Sequence, residues 1–451
     1  MIPETESGWL PDLIYTGQGF QSGLAMFADA AGNISRFSSV TADLAKAHRL
    51  NGRAILPGLI NGHSHAFQRV LRGRTEHRTP SARDSFWTWR ESMYHAANRL
   101  SPEGLYQASR MAFLEMLLSG ITTVGEFHYI HHAPGGTPYS DRNELAWQVL
   151  RAAQDSGLRI ALLRTAYVRS GWGKPAEPGQ ARFLTPRVED FIADTEALRA
   201  AGASVGVAPH SLRAVPLEYA REVAAYARAR ELPLHMHVSE QIADVEACLD
   251  EYKLRPVELL DQNGVLDSRF TAVHAIHVTG GEISQLAQAG AIVCACPTTE
   301  RNLGDGTVPA DQFLDAGIRL SLGSDSNVQI NLLEDARSLE YHLRILKLER
   351  ALLAPKQLFA CATEGGAASL SAPGGILEVG RPADFFTVAL DDPSIAGADD
   401  DSLLSHVVFS AERSAVWDVA VGGKFVIRDG RHKLQEEITR DFTRLQRELW
   451  S

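Results

Sequence analysis

The chain has 451 residues, 45% of them hydrophobic, enough to bury a large core as one big domain with a smaller companion. A formal net charge of −11 argues against the clustered lysine and arginine surface that nucleic-acid binding needs. Four cysteines without framework spacing, an opening Met1-Ile2-Pro3-Glu4-Thr5-Glu6 that lacks the regions of a secretory leader, and no run of roughly 18 apolar residues lead us to expect a soluble cytoplasmic protein that neither enters nor binds a membrane.

In chain order, residues 1–57 carry short strand-like runs such as 24–27 and read as the first part of a small β-domain. From 58 to 375, short apolar runs alternate with longer amphipathic ones. Strands are expected at 59–62, 122–127, 159–163, 204–208, 233–237, 271–274, 291–294 and 319–322. Helices are expected at 102–119, opened by Ser101-Pro102 and stopped by Gly120, and at 143–156, stopped by Gly157. Eight strands separated by helices predict a parallel (β/α)₈ barrel, although a doubly wound open sheet shares this local grammar. Residues 376–451 return to strand-like runs at 385–390, 415–421 and 425–427, expected to join the first 57 residues in one β-domain. Helical periodicity over 436–450 predicts a last helix docked on the surface.

The chemistry gathers at strand ends. His63-Ser64-His65 closes the apolar run 54–60, and histidines at i and i+2 of an extended segment project to the same side. His235-Met236-His237 repeats the pattern and is followed by Glu240. His274 ends the next strand, with His277 close behind, and Gly323-Ser324-Asp325 follows the last. Any one of these is ordinarily a loop residue. Four strands that each deliver imidazole or carboxylate to the C-terminal face of a barrel are not coincidence, because active sites are built on that face. Cys294-Ala295-Cys296 reads instead as buried strand cysteines.

The stretch Pro57-Gly58-Leu59-Ile60-Asn61-Gly62-His63-Ser64-His65 and the turn Gly380-Arg381-Pro382-Ala383-Asp384 resemble signatures of the amidohydrolase superfamily, a resemblance that spans nearly the whole chain. It implies a distorted (β/α)₈ barrel with a composite β-sandwich built from both termini. It also implies metal ligation by His63, His65, His237 and Asp325, with His274 beside the site, Glu240 shuttling protons, and His235 in a supporting place. Binuclear members bridge two metals with a lysine at the end of the fourth strand. Here Ser204-Val205-Gly206-Val207-Ala208-Pro209-His210 has none, so one divalent ion is expected. Imidazole and carboxylate suit Zn²⁺, with Fe²⁺ or Mn²⁺ compatible. The implied reaction is hydrolytic, with Asp325 as base and ammonia or an amine leaving.

Other residues speak to the substrate. Gln68, Arg90, Tyr129, His210 and Arg213 lie near or beyond expected strand ends, and two guanidinium groups suit carboxylates better than a purine or pyrimidine. Trp87-Thr88-Trp89 reads first as loop-packing aromatics. These stretches, with His63-Ser64-His65-Ala66-Phe67-Gln68-Arg69, are similar to the formimidoylglutamate deiminases of the superfamily. That similarity implies deimination of a small dicarboxylate amidine, N-formimidoyl-L-glutamate, to N-formyl-L-glutamate and ammonia in histidine degradation, by a homodimer. Gln68, Arg90, Tyr129, His210 and Arg213 would bind it. The alternatives are a related deaminase of an aromatic ring (guanine, an adenosine derivative or a triazine) and a non-catalytic assembly scaffold of the same fold. The scaffold is disfavoured because His63, His65, His237, Glu240, His274 and Asp325 are all present. The basic segment 74–83 reads as solvated charge, with a lid over the mouth as the other reading, and Arg169 as a possible further cation stays open.

Overall fold

A computed structural model describes residues 6–77 and 86–451. The eight expected strands are present as β1 (Leu59–Ser64), β2 (Ile121–His128), β3 (Arg159–Ala166), β4 (Val205–Pro209), β5 (Leu234–Val238), β6 (Phe270–His274), β7 (Ile292–Ala295) and β8 (Arg319–Leu322). They run parallel in sequential order, each paired with the next, so the sheet is a barrel and not the doubly wound alternative.

The barrel is tight except at two seams. The registered β4–β5 pair is Val207 with Leu234, and contact resumes past the end of β4, where Ser211 bridges His237. Between β8 and β1 closure comes from a bridge of Ser64 to Asp325. Both seams are therefore bridged at the C-terminal face, by the same segments that carry the histidines and the aspartate.

A second sheet joins the two ends of the chain. His48–Pro57 pairs parallel with Ser7–Tyr15 and antiparallel with Phe385–Ala389, which continues to Val416–Val421 and Lys424–Arg428. Trp9, Ile14, Met26, Ile55 and Phe385 form its own small apolar core. The run 54–60, which looks uniform in sequence, serves both sheets: Ala54 to Pro57 pair outward with Phe385 to Val388, and Leu59 begins the barrel. Gly58 marks the crossing, since a Cβ there would lie 2.2 Å from Thr122 Oγ1.

Local signals act as expected. Ser101 caps the helix Pro102–Leu118 by accepting from Gly104 N–H at 3.0 Å, and Gly157 ends Glu144–Ser156 in the left-handed region at φ 81°. The last helix, Gln435–Trp450, buries Ile438, Phe442, Leu445 and Leu449, and its Gln446 donates to Val70 O at 3.0 Å. Arg74 of the basic segment lies over the Trp450 ring at 4.5 Å, while Arg78 and Arg83 lie outside the described residues. Among the described residues, no helix is long and apolar enough to cross a membrane.

One buried acid gives the fold a pH signature. Asp335, in the helix Leu332–Lys347, accepts from Thr298 N–H at 3.0 Å, and burial pushes its carboxyl up to about 8. Because the folded value exceeds the unfolded one, its contribution is intact below about pH 4 and is lost as pH rises through about 8. Asp335→Asn keeps the acceptor without the charge. Its Tm relative to the parent should climb between pH 5 and 8 in thermal melts; a constant difference would show that Asp335 does not titrate there.

Candidate active site

Backbone bonds at the two seams place the four donors. Asp325 N–H donates to His63 O at 3.0 Å, His65 N–H to Asp325 O at 2.9 Å, and His237 N–H to His210 O at 3.0 Å. Left-handed backbone at non-glycine residues recurs at the C-terminal ends of the barrel strands: Ser239 (φ 51°), His274 (φ 71°), Ala275 (φ 51°) and Asp325 (φ 45°). Such conformations cost on the order of 1–3 kcal/mol each and persist where the surroundings over-determine them.

The side chains converge. His63 Nε2 lies 3.2 Å from His65 Nε2, 3.2 Å from His237 Nε2 and 3.4 Å from Asp325 Oδ1, and His65 Nε2 lies 3.2 Å from Asp325 Oδ1. His65 Nδ1 donates to Phe127 O at 3.0 Å and His237 Nδ1 to His210 O at 2.9 Å, which leaves both Nε2 lone pairs facing inward. Three imidazole nitrogens this close cannot all hydrogen-bond to one another. Donors held at about 2.0–2.1 Å around one tetrahedral zinc ion, in contrast, lie about 3.4 Å apart. All four residues are buried, and the set fits a single divalent cation. Burial holds His63 down at about 3, the neutral form a ligand needs. Burial acts to raise the Asp325 carboxyl, but its close pairing with His63 and His65 holds it well below the usual carboxylate range. The fourth strand, Val205–Pro209, supplies no lysine.

His274 stands beside this cluster. Its Nε2 is 3.8 Å from Asp325 Oδ2 and 3.7 Å from Glu240 Oε1, and its Nδ1 is 3.2 Å from Glu300 Oε1. Burial would lower its pKa, yet Glu240, Glu300 and Asp325 together push it up to about 10, so the ring is an imidazolium at neutral pH. Burial raises the Glu240 carboxyl against the opposing pull of His274 and Arg213. His235 takes no part: its Nε2 donates to Ser369 O at 2.7 Å, below the cluster in the barrel interior.

Above the cluster is a cavity lined by His65, His237, Glu240 and Asp325 together with Gln68, Arg90, Tyr129, His210 and Arg213. The structure thus brings every residue expected at the substrate to one cavity. Gln68 Nε2 donates to Tyr129 Oη at 2.9 Å, and the other end of that amide is buried with no partner among the described residues. Arg213 donates to both carboxylate oxygens of Asp244, at 3.1 and 2.9 Å, while still facing the cavity. Arg169 is turned elsewhere. It donates to Leu212 O, Arg213 O and Glu251, and so holds the loop that carries Arg213.

Sequence reasoning missed Glu300, which backs His274, and the cavity residues Met93, Tyr94, Tyr167 and Leu303. Trp89, read as loop packing, also faces the cavity from the helix Phe86–Arg99. Glu300 had a weaker signal: it comes six residues after the expected strand 291–294, in the helix Pro297–Leu303, whereas Glu240 and Asp325 each come three residues after theirs. Cys294 and Cys296 are fully buried and free, as expected, but Cys296 also stands with His274 and Glu300 in a group spaced closely enough to hold a cation. Glu300 Oε1 already accepts from Cys296 N–H at 2.8 Å and meets His274 Nδ1 at 3.2 Å.

The sequence profile of the amidohydrolase family matches residues 54–426, and the chain belongs to that family. It is 41% identical over 415 residues to formimidoylglutamate deiminase from Pseudomonas aeruginosa, covering 89% of this chain and 91% of that relative. It is 31% identical to 8-oxoguanine deaminase from the same species, covering 83% and 82% of the two chains. An amidohydrolase from Brucella melitensis, a solved structure 36% identical, superposes with a TM-score of 0.91 over 99% of this chain and 100% of that one. The protein is accordingly a hydrolase of carbon–nitrogen bonds, of the deaminase kind.

Proposed function

We propose that the protein hydrolyses N-formimidoyl-L-glutamate to N-formyl-L-glutamate and ammonia, a step of histidine degradation, with one divalent metal ion, zinc for preference, held by His63, His65, His237 and Asp325. The observation that carries this reading is the pair Arg90 and Arg213 in the cavity directly above the donor cluster, where a dicarboxylate needs cations and a neutral ring does not. The relative from Pseudomonas aeruginosa, by its name a formimidoylglutamate deiminase, supports it.

A bound divalent cation supplies Lewis acidity that makes water a nucleophile at neutral pH. Asp325, held ionised beside the cluster, takes the proton of the attacking water as the new C–O bond forms. His274, charged and 3.8 Å from Asp325, steadies the tetrahedral adduct. Glu240 moves a proton to the amidine nitrogen, the C–N bond breaks, and ammonia leaves. Gln68 and Tyr129, joined at 2.9 Å, orient the amidine with His210, and the unpartnered end of the Gln68 amide is a ready partner for it.

Ammonia release from N-formimidoyl-L-glutamate, guanine, 8-oxoguanine, cytosine and S-adenosylhomocysteine tests the proposal. Activity is expected on the first alone, lost with a chelator and restored by Zn²⁺. Turnover of a ring substrate with none of formimidoylglutamate would replace this reading with ring deamination.

A further inference from the structure

The outer wall of the cavity carries two tyrosine hydroxyls governed by one glutamine. Tyr94 belongs to the helix Phe86–Arg99, Tyr167 follows β3, and Gln180 sits in the turn Pro178–Phe183 beyond it. Gln180 Oε1 accepts from Glu177 N–H at 2.9 Å, which fixes which end of the amide is nitrogen. Its Nε2 then donates to Tyr94 Oη at 2.9 Å and to Tyr167 Oη at 3.0 Å, using both of its hydrogens.

Both phenol oxygens are therefore acceptors, and each keeps its own hydrogen to donate. The two oxygens are 3.4 Å apart, so one hydrogen at most can serve the other tyrosine. At least one O–H is left for an acceptor in the cavity that both rings line, beside Arg90 and Arg213. Burial raises the Tyr167 phenol, which keeps it a neutral donor.

The unit is preformed. Asn98 Nδ2 donates to Tyr94 O and to Gly179 O, both at 2.8 Å, and so ties the helix to the loop that carries Gln180. The unit is also displaced from the reacting centre: the Tyr167 ring is 4.9 Å from His210, whose ring is 4.7 Å from His237. A group bound by these hydroxyls lies two rings out from the donor cluster.

We propose that Tyr94 and Tyr167, set by Gln180, donate to the substrate carboxylate farther from the amidine and thereby select an acidic side chain over its neutral amide. The proposal rests on the deiminase reading above. A carboxylate offers an acceptor oxygen to each of the two hydroxyls, whereas an amide offers one and turns its N–H toward the other, whose oxygen already accepts from Gln180.

The test compares kcat/KM for N-formimidoyl-L-glutamate and N-formimidoyl-L-glutamine in the parent, in Tyr94→Phe, in Tyr167→Phe and in the double variant. The preference for glutamate should fall about tenfold or more in the double variant, mainly through the KM of the glutamate substrate. Each single variant should show part of this loss, which covers a double variant that fails to fold. An unchanged preference, or equal loss on both substrates, would overturn the clamp while leaving the deiminase reading intact. A parent protein inactive on both substrates would overturn that reading and the clamp with it.

Discussion

Asp325→Asn should lower kcat by about 10³-fold or more with the fold kept, the scale at which a lost general base is felt. Three features make Asp325 this sensitive. Its Oδ1 is 3.2 Å from His65 Nε2 and 3.4 Å from His63 Nε2, and its Oδ2 is 3.8 Å from His274, so one side chain joins the donor cluster to the imidazolium. Its backbone closes the barrel through the bridge to Ser64. Its carboxyl is held ionised by the histidines, whereas an amide of the same shape cannot take up a proton. Metal content and thermal melting measured alongside kcat separate loss of the base from loss of the site. Activity within about tenfold of the parent, at equal metal content, would remove Asp325 from the base role.

Arg213→Met is expected to lower kcat/KM by about 2–4 kcal/mol in transition-state free energy, the cost of losing charge-assisted bonds in a closed site. The structure adds a complication invisible in sequence: Arg213 is also paired with Asp244, both largely buried, so its removal strands a carboxylate. The double variant Arg213→Met with Asp244→Asn relieves that strain. Thermal stability should recover in the double variant while kcat/KM stays low, because the substrate has still lost its cation. Recovery of kcat/KM together with stability would show that Arg213 serves the loop and not the substrate.

The barrel was legible because its signals are local. Apolar runs of four to eight residues bounded by glycine and by Ser101-Pro102 caps mark strands and helices whatever lies far away in the chain. The donors were legible for the same reason. His63 with His65, and His237 with Glu240, lie within a few residues of a strand end, and a strand end has one place to point in a barrel. Gly58 shows where this stops. Nothing in the run 54–60 reveals that it leaves one sheet and enters another, because the change is imposed by pairing with Phe385–Ala389 and by contact with Thr122.

Residue types at strand ends pointed to metal-assisted chemistry, since ligand type and alternation are short-range properties of the chain, and the superfamily resemblance singled out three imidazoles and one carboxylate among them. Folding alone decided which groups surround that chemistry. Gln180 reaches Tyr94 from 86 positions away, Arg213 reaches Asp244 from 31, and Glu300 reaches His274 from 26. Those meetings depend on how loops close and pack over the barrel mouth, and no local propensity encodes them.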